Sequence, residues 1–273
     1  MSNFEKLPPE EERLPYSKYY YQEPVVPNPK LIEILDKGPM DPSKALHYSD
    51  IEKLLEPGYL EVENGYCVTD EGVGYVAVNN VFPGCTIDMM KWWFAWHALE
   101  NLRYKIWYPP AHKGISIDED ARKRILDPNI AVEDKYTNII HHVLEDVGGG
   151  DDDIFIHFHK PEDMGLDPVA LKDSPVKMII GGFGIQESRA NPGIKASSVI
   201  IHTCREANDG IEFRTRFWMG CIIENGKVKC VLPPGIKVPI EPPMGLAYHN
   251  VMEYSNLAVL LPQIYADEGG RLV

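Results

Sequence analysis

Near the end of the chain, a histidine and a glutamate stand four residues apart in the run Tyr248-His249-Asn250-Val251-Met252-Glu253-Tyr254. On a helix, residues so spaced lie one above the other on the same face. Imidazole and carboxylate are ligands that zinc and similar ions accept, so His249 and Glu253 can reach one divalent metal. An exposed intrahelical hydrogen bond is the plainer use of the same spacing, and the pair alone favours it. Further ligands have to come from elsewhere. His112 follows Pro109-Pro110-Ala111, an irregular stretch of the kind on which sites are built. Glu145 falls among Val143, Leu144 and Val147, where an unpaired carboxylate would be costly to bury and a metal would be a partner. For both residues, a surface position on an amphipathic segment is the alternative.

His157-Phe158-His159 forms a competing constellation, because residues two apart on a strand share a face. With Glu162 it would give a cupin-like metal oxygenase, but Pro161 and a short spacing separate the glutamate from the histidines. His97, His141, His142 and His202 read as structural or surface histidines. Trp92, Trp93, Trp96, Trp107 and Trp218 can line a cavity for an aromatic ligand or serve as core. The chain has no Gly-x-Ser-x-Gly elbow, no P-loop and no His-Glu-x-x-His, and Gly181-Gly182-Phe183-Gly184 lacks the third glycine of a dinucleotide fingerprint.

The elements that would carry these residues follow from periodicity and punctuation. Prolines 8, 9, 15, 24, 27 and 29 interrupt any continuous helix over the first 45 or so residues, giving an extended arm. Its tyrosines 16, 19, 20 and 21 are expected to pack on the body or on a second subunit. A short helix is expected at Tyr48–Leu55, strands at Tyr59–Val68 and Gly74–Val81, and a deeply buried helix at Ile87–Leu99 capped by Thr86. Asp118–Leu126 reads as helix, while Tyr136–Val147 is ambiguous. A turn at Gly148, Gly149 and Gly150 precedes strand patterns at Ile154–His159, Lys177–Phe183, Ser197–Cys204, Ile211–Met219 and Cys221–Val231. A long helix is expected at Pro243–Ala266, with Pro262 ending or bending it near its last turn. An antiparallel sheet wrapped around that helix makes an α+β fold with an internal cavity.

The 273 residues suffice for one large domain with or without an appendage, and 44% hydrophobic with 25% charged residues excludes general disorder. The net charge of −14 argues against nucleic acid and anionic membranes as partners. No apolar run approaches the roughly 20 residues that span a bilayer. The opening stretch carries acids and prolines instead of a secretory signal, so a cytoplasmic location is expected. Cys67, Cys85, Cys204, Cys221 and Cys230 are odd in number, widely spaced and without a C-x-x-C, which fits reduced thiols.

Three stretches, Trp92–His112 (WWFAWHALENLRYKIWYPPAH), His141–Gly148 (HHVLEDVG) and Tyr248–Tyr254 (YHNVMEY), together resemble the phloretin hydrolase and diacetylphloroglucinol hydrolase family. The resemblance implies a zinc-dependent hydrolase that cleaves the carbon–carbon bond between an acyl carbonyl and a phloroglucinol ring. It implies a helix-grip (Bet v 1-like) catalytic domain over 86–273, a smaller N-terminal arm and domain over 1–85, a homodimer, and a small polyphenolic ketone as substrate. Matched motif by motif, the zinc ligands fall on His112, Glu145, His249 and Glu253. Tyr104 falls on a tyrosine that binds the substrate's oxygen, and Glu145 or Glu253 would serve as general base. The acyl group stays open between phloretin and diacetylphloroglucinol. A hydrophobic-ligand carrier and the cupin-like oxygenase stay as alternatives.

Overall fold

The computed structural model describes residues 4–147 and 149–273, so Gly148 of the expected glycine turn lies outside the described residues. Its centre is an eight-stranded sheet, antiparallel throughout, in the order β1-β2-β8-β7-β6-β5-β4-β3. The strands are β1 (Gly65–Val68), β2 (Gly74–Pro83), β3 (His112–Ser116), β4 (Ile140–Asp146), β5 (Asp151–His159), β6 (Val176–Ser188), β7 (Lys195–Ala207) and β8 (Gly210–Met219). A hairpin of β9 (Cys221–Glu224) and β10 (Lys227–Cys230) follows. The segment that was ambiguous in the sequence is β4, and its alternation buries His141, Val143 and Glu145 on one face. The glycine run 181–184 is strand, as its lack of a complete fingerprint suggested. A Cβ on Gly182 would stand 2.0 Å from the carbonyl oxygen of His157, so only glycine permits this approach of β6 to β5.

The terminal helix, Glu241–Glu268, lies against β1, β2 and the aromatic helix Ile87–Trp96. Thr86 caps the aromatic helix as expected, its side chain accepting from Met89 N at 3.2 Å. The α-helix stops at Trp96, and His97–Leu99 tightens into a 3-10 turn. Pro262 does not end the terminal helix, which runs on to Glu268. The carbonyl of Ala258, which a residue other than proline at 262 would bond, instead accepts from Cys85 Sγ at 3.8 Å. The helix expected at Tyr48–Leu55 shrinks to a 3-10 turn at Ile51–Leu55.

The arm is not extended throughout. It folds into short helices at Pro9–Glu12, Ser17–Tyr20 and Pro29–Leu35. Tyr16, Tyr19 and Tyr20 are buried against the chain's own body: Tyr16 OH bonds Glu100, Arg103 Nε donates to Tyr16 OH at 3.1 Å, and Tyr19 OH donates to Asp267 at 2.7 Å. The boundary expected at residue 85 falls just after β2, and β2 pairs along its whole length with β8. The two sides of that boundary therefore share one sheet. All five cysteines are free thiols. Among the described residues no helix is long and apolar enough to cross a membrane.

Candidate metal centre

His112 and Glu145 are direct cross-strand partners at the start of β3 and near the end of β4. The register shifts between His112 and Gly114, a bulge of the kind that re-aims a side chain beside a site. His249 and Glu253 come from the third and fourth turns of the terminal helix, about one helical turn apart. All four side chains are buried. Ligand atoms of His112, Glu145 and His249 lie within 4.8 Å of one another. His249 Nε2 lies 2.7 Å from Glu145 Oε1, and His112 Nε2 lies 3.8 Å from the same oxygen. Glu253 Oε2 joins them at 3.4 Å from His112 Nε2 and 3.7 Å from His249 Nε2. Ligands at about 2.0–2.1 Å around a tetrahedral zinc stand about 3.3 Å apart, a value inside this range.

The donor set fits a metal on chemical grounds as well. His112 Nδ1 lies 3.2 Å from the carbonyl oxygen of Tyr104, which can only accept. Nδ1 therefore carries a proton, and Nε2 is the atom that faces the centre, the orientation common in metal-bound histidine. Both Nε2 atoms are buried, and the nearest carboxylate oxygen to His249 Nε2 is Glu145 Oε1 at 2.7 Å. Among the described residues no lysine or arginine forms an ion pair with Glu145 or Glu253. Two imidazole nitrogens and two carboxyl groups thus converge with no lysine or arginine paired to them among the described residues. His112, Glu145 and His249 can hold a metal ion.

The surroundings fix these groups. The Tyr104 ring stacks on His112 at 4.2 Å, and its hydroxyl donates to Glu145 Oε2. Burial, and then the charge of Glu145, raise the Tyr104 hydroxyl well above its ordinary pKa, so it stays protonated. Trp107 Nε1 donates to the Glu253 carbonyl at 3.2 Å, and Asn256 Nδ2 donates to the Trp107 carbonyl at 2.7 Å. Burial pushes both carboxyl groups up. The facing imidazoles outweigh it at Glu145, which is held below the ordinary range, whereas Glu253 is held above it. His249 is pushed down by burial, but Glu253 and Glu145 raise it to about 9.

The centre forms part of the wall of a cavity of about 760 Å³ between the terminal helix and the sheet from β4 to β8. Of the five tryptophans only Trp107 lines it; Trp92, Trp93, Trp96 and Trp218 are core. His142 is a surface residue bonded to Asp153 at 2.7 Å, as expected. His97, His141 and His202 are buried in the cavity wall, a location the sequence reading did not foresee. The signal for His141 was present: the period of two that puts Glu145 inside puts His141 inside too. Asp146 faces the other way, its carboxylate accepting from Gly150 N at 3.0 Å. His157 and His159 stand apart from the centre, stacked on Phe183 at 4.9 and 5.7 Å, and Glu162 is exposed in the following 3-10 turn. No carboxylate joins these two rings in a donor group among the described residues, which leaves the oxygenase alternative without a site.

Residues 46–266 match the family model for the DAPG hydrolase PhiG domain. The chain is 33% identical over 262 residues to a phloretin hydrolase of Eubacterium ramulus, covering 95% of this chain and 92% of the relative. It is 29% identical over 277 residues to a 2,4-diacetylphloroglucinol hydrolase of Pseudomonas protegens, covering 93% of this chain and 85% of the relative. A 2,4-diacetylphloroglucinol hydrolase of a Pseudomonas species matches at the same identity over 88% of its length.

Proposed function

The chain belongs to the DAPG hydrolase family and is a hydrolase, and from that premise we propose that it cleaves the carbon–carbon bond between an acyl carbonyl and a phloroglucinol ring, with zinc as cofactor and phloretin as substrate. The observation that carries this reading is the meeting of four ligand-type side chains from three remote stretches, three of which (Glu145, His249 and Glu253) line a cavity of about 760 Å³. That volume lies within the range of small-molecule sites. The cavity's exposed end is lined by Ile194, Val231 and Ile236, which suits an arylpropanoyl chain better than an acetyl group. The helix lying over the sheet and closing this cavity is read as a helix-grip arrangement.

His112, Glu145, His249 and Glu253 would hold the ion. Zinc there would supply a water acidic enough to ionise near neutral pH and a Lewis acid for the ketone. An aryl ketone resists hydrolysis because the leaving group would be an aryl carbanion. A ring with three hydroxyls avoids this by taking a proton at the acyl-bearing carbon and reaching a keto tautomer. The oxygen of water then bonds the acyl carbon, the acyl–ring bond breaks, and its electron pair enters the ring as an enolate. The products are a carboxylic acid and phloroglucinol. Tyr104, protonated in the resting protein, holds a phenolic oxygen and relays the ring proton, giving its own to the ring carbon as it takes one from the phenol. Its hydroxyl also holds Glu145 in place, so Glu253, whose carboxylate accepts from no hydroxyl among the described residues, is the carboxylate assigned to take the proton of water at Oε2.

The test is incubation of zinc-loaded protein with phloretin and with 2,4-diacetylphloroglucinol, following phenol release chromatographically before and after chelation. Phloroglucinol should come from phloretin, stop on metal removal and return with zinc. Full turnover by protein shown to be metal-free would refute the metal role. Release from the diacetyl compound alone would replace the substrate assignment.

A further inference from the structure

At its inner end the cavity carries a histidine for which the reaction outlined above has no use. Among its lining residues Ile194, Val231 and Ile236 are exposed, whereas Phe94, His97, His141 and Phe158 are buried and in ring contact in series. His141 lies on β4, four residues before Glu145 and on the same face. Its side chain is 2% exposed, and Nε2 is buried without a hydrogen-bond partner among the described residues. The ring stands 4.8 Å from Phe158 and 5.6 Å from His97.

The neighbouring histidines do have partners. His97 Nδ1 lies 2.8 Å from the carbonyl of Trp93, so it carries the proton and Nε2 is left as an acceptor. His202 Nδ1 lies 2.9 Å from Thr215 Oγ1. Burial holds both His97 and His141 below the ordinary histidine range, and they are neutral at neutral pH. A buried polar nitrogen with no partner destabilises the fold, whereas an apolar side chain of similar shape would not. An imidazole in that position is accounted for by a partner that arrives with a ligand. His97 links it to the reacting groups: its ring is 5.6 Å from that of His141 and 6.1 Å from that of Tyr104, which bonds Glu145.

We propose that His141, with His97 beside it, receives a ring hydroxyl of the substrate, so that the polyphenol ring enters first and the acyl chain points toward the mouth. A neutral imidazole accepts well from a phenol, which is a stronger donor than water. The assignment rests on the hydrolase reading for the identity of the ring, and it makes His141 a specificity residue for hydroxylation of that ring. A site built to bond a hydroxyl discriminates strongly against an analogue lacking it, because its own polar atom is then left alone.

The decisive experiment measures phloroglucinol binding by calorimetry to the zinc-loaded protein and its His141→Leu and His141→Gln variants, with the melting temperature of each. His141→Leu should weaken phloroglucinol by about tenfold or more while melting no lower than the parent, and His141→Gln should restore part of the affinity. The kcat/KM preference for phloretin over an analogue lacking one ring hydroxyl should shrink by a similar factor in His141→Leu. Unchanged phloroglucinol affinity in His141→Leu overturns the proposal. So does a lower melting temperature, since the imidazole would then be supporting the fold. Because binding is read without turnover, the two readings fail separately. Phloroglucinol bound through His141 with cleavage of neither phloretin nor 2,4-diacetylphloroglucinol defeats the proposed carbon–carbon cleavage, whereas cleavage with binding indifferent to His141 defeats this one.

Discussion

At the metal centre, the i, i+4 spacing of His249 and Glu253 was legible because a helix converts sequence distance directly into adjacency. Glu145 was legible as an anomaly, a carboxylate in an apolar stretch, but choosing it over Asp146 required the family resemblance. The strand face of β4 provides an independent reason for the choice. His141 was overlooked because Tyr136–Val147 was ambiguous in the sequence: its neighbour His142 is chemically the same, and only a period of two counted back from Glu145 separates a cavity residue from a surface one. Two substitutions separate holding the metal from using it. His249→Ala should abolish stoichiometric metal binding, read by elemental analysis, together with turnover. Tyr104→Phe should keep the metal but lower kcat by about 10–100-fold, the usual cost of losing a group that orients a ligand. A Tyr104→Phe enzyme with parental kcat would remove that hydroxyl from both positioning and proton relay.

The longer strands from β5 to β8 and the aromatic and terminal helices followed from alternation and punctuation, with Thr86 capping as expected. In contrast, β3 was not foreseen, β4 was ambiguous, Tyr59–Val68 shortened to Gly65–Val68 and Cys221–Val231 split into β9 and β10. What local pattern could not show were outcomes set by tertiary partners. The bulge at His112 depends on its register with β4, which a Pro-Pro turn does not specify. The persistence of the terminal helix through Pro262 is a second example. The missing donor leaves the Ala258 carbonyl to a weak thiol at 3.8 Å, while Leu257, Leu260, Leu261 and Ile264 remain fully packed on either side of the defect. Burial of that apolar face outweighs the local penalty. Pro262→Ala supplies the absent N–H and should therefore stabilise the protein by about 1–3 kcal/mol. A urea midpoint equal to or below the parent's would show that the helix has adapted its backbone around the proline.

The N-terminal part and the large sheet are joined by charge as well as by strand pairing, a union that sequence distance conceals. Glu63 precedes β1, and its carboxylate accepts from Arg214 Nε at 3.0 Å and Nη2 at 2.7 Å, and from Arg216 Nη2 at 2.7 Å. Both arginines project from β8 and are almost completely buried. Burial pushes the Glu63 carboxyl up, but the bonds and charges of Arg214 and Arg216 outweigh this and bring it down to about 2. The sign of the linkage follows. A carboxyl whose folded pKa lies below its ordinary 4.5 favours the folded state when ionised, so its contribution is complete above that value. It is lost as pH falls from about 4.5 through about 2. Glu63→Gln leaves two buried guanidinium groups without their counter-charge, and should cost about 3–5 kcal/mol at pH 7, as breaking a buried ion pair commonly does. The same variant should lose the part of the acid destabilisation that this carboxylate contributes, so parent and variant curves should converge below pH 3. Urea unfolding at pH 7 and at pH 3 tests both halves: a constant gap between the two proteins would mean that the sheet and the N-terminal segment are held together without this carboxylate's charge.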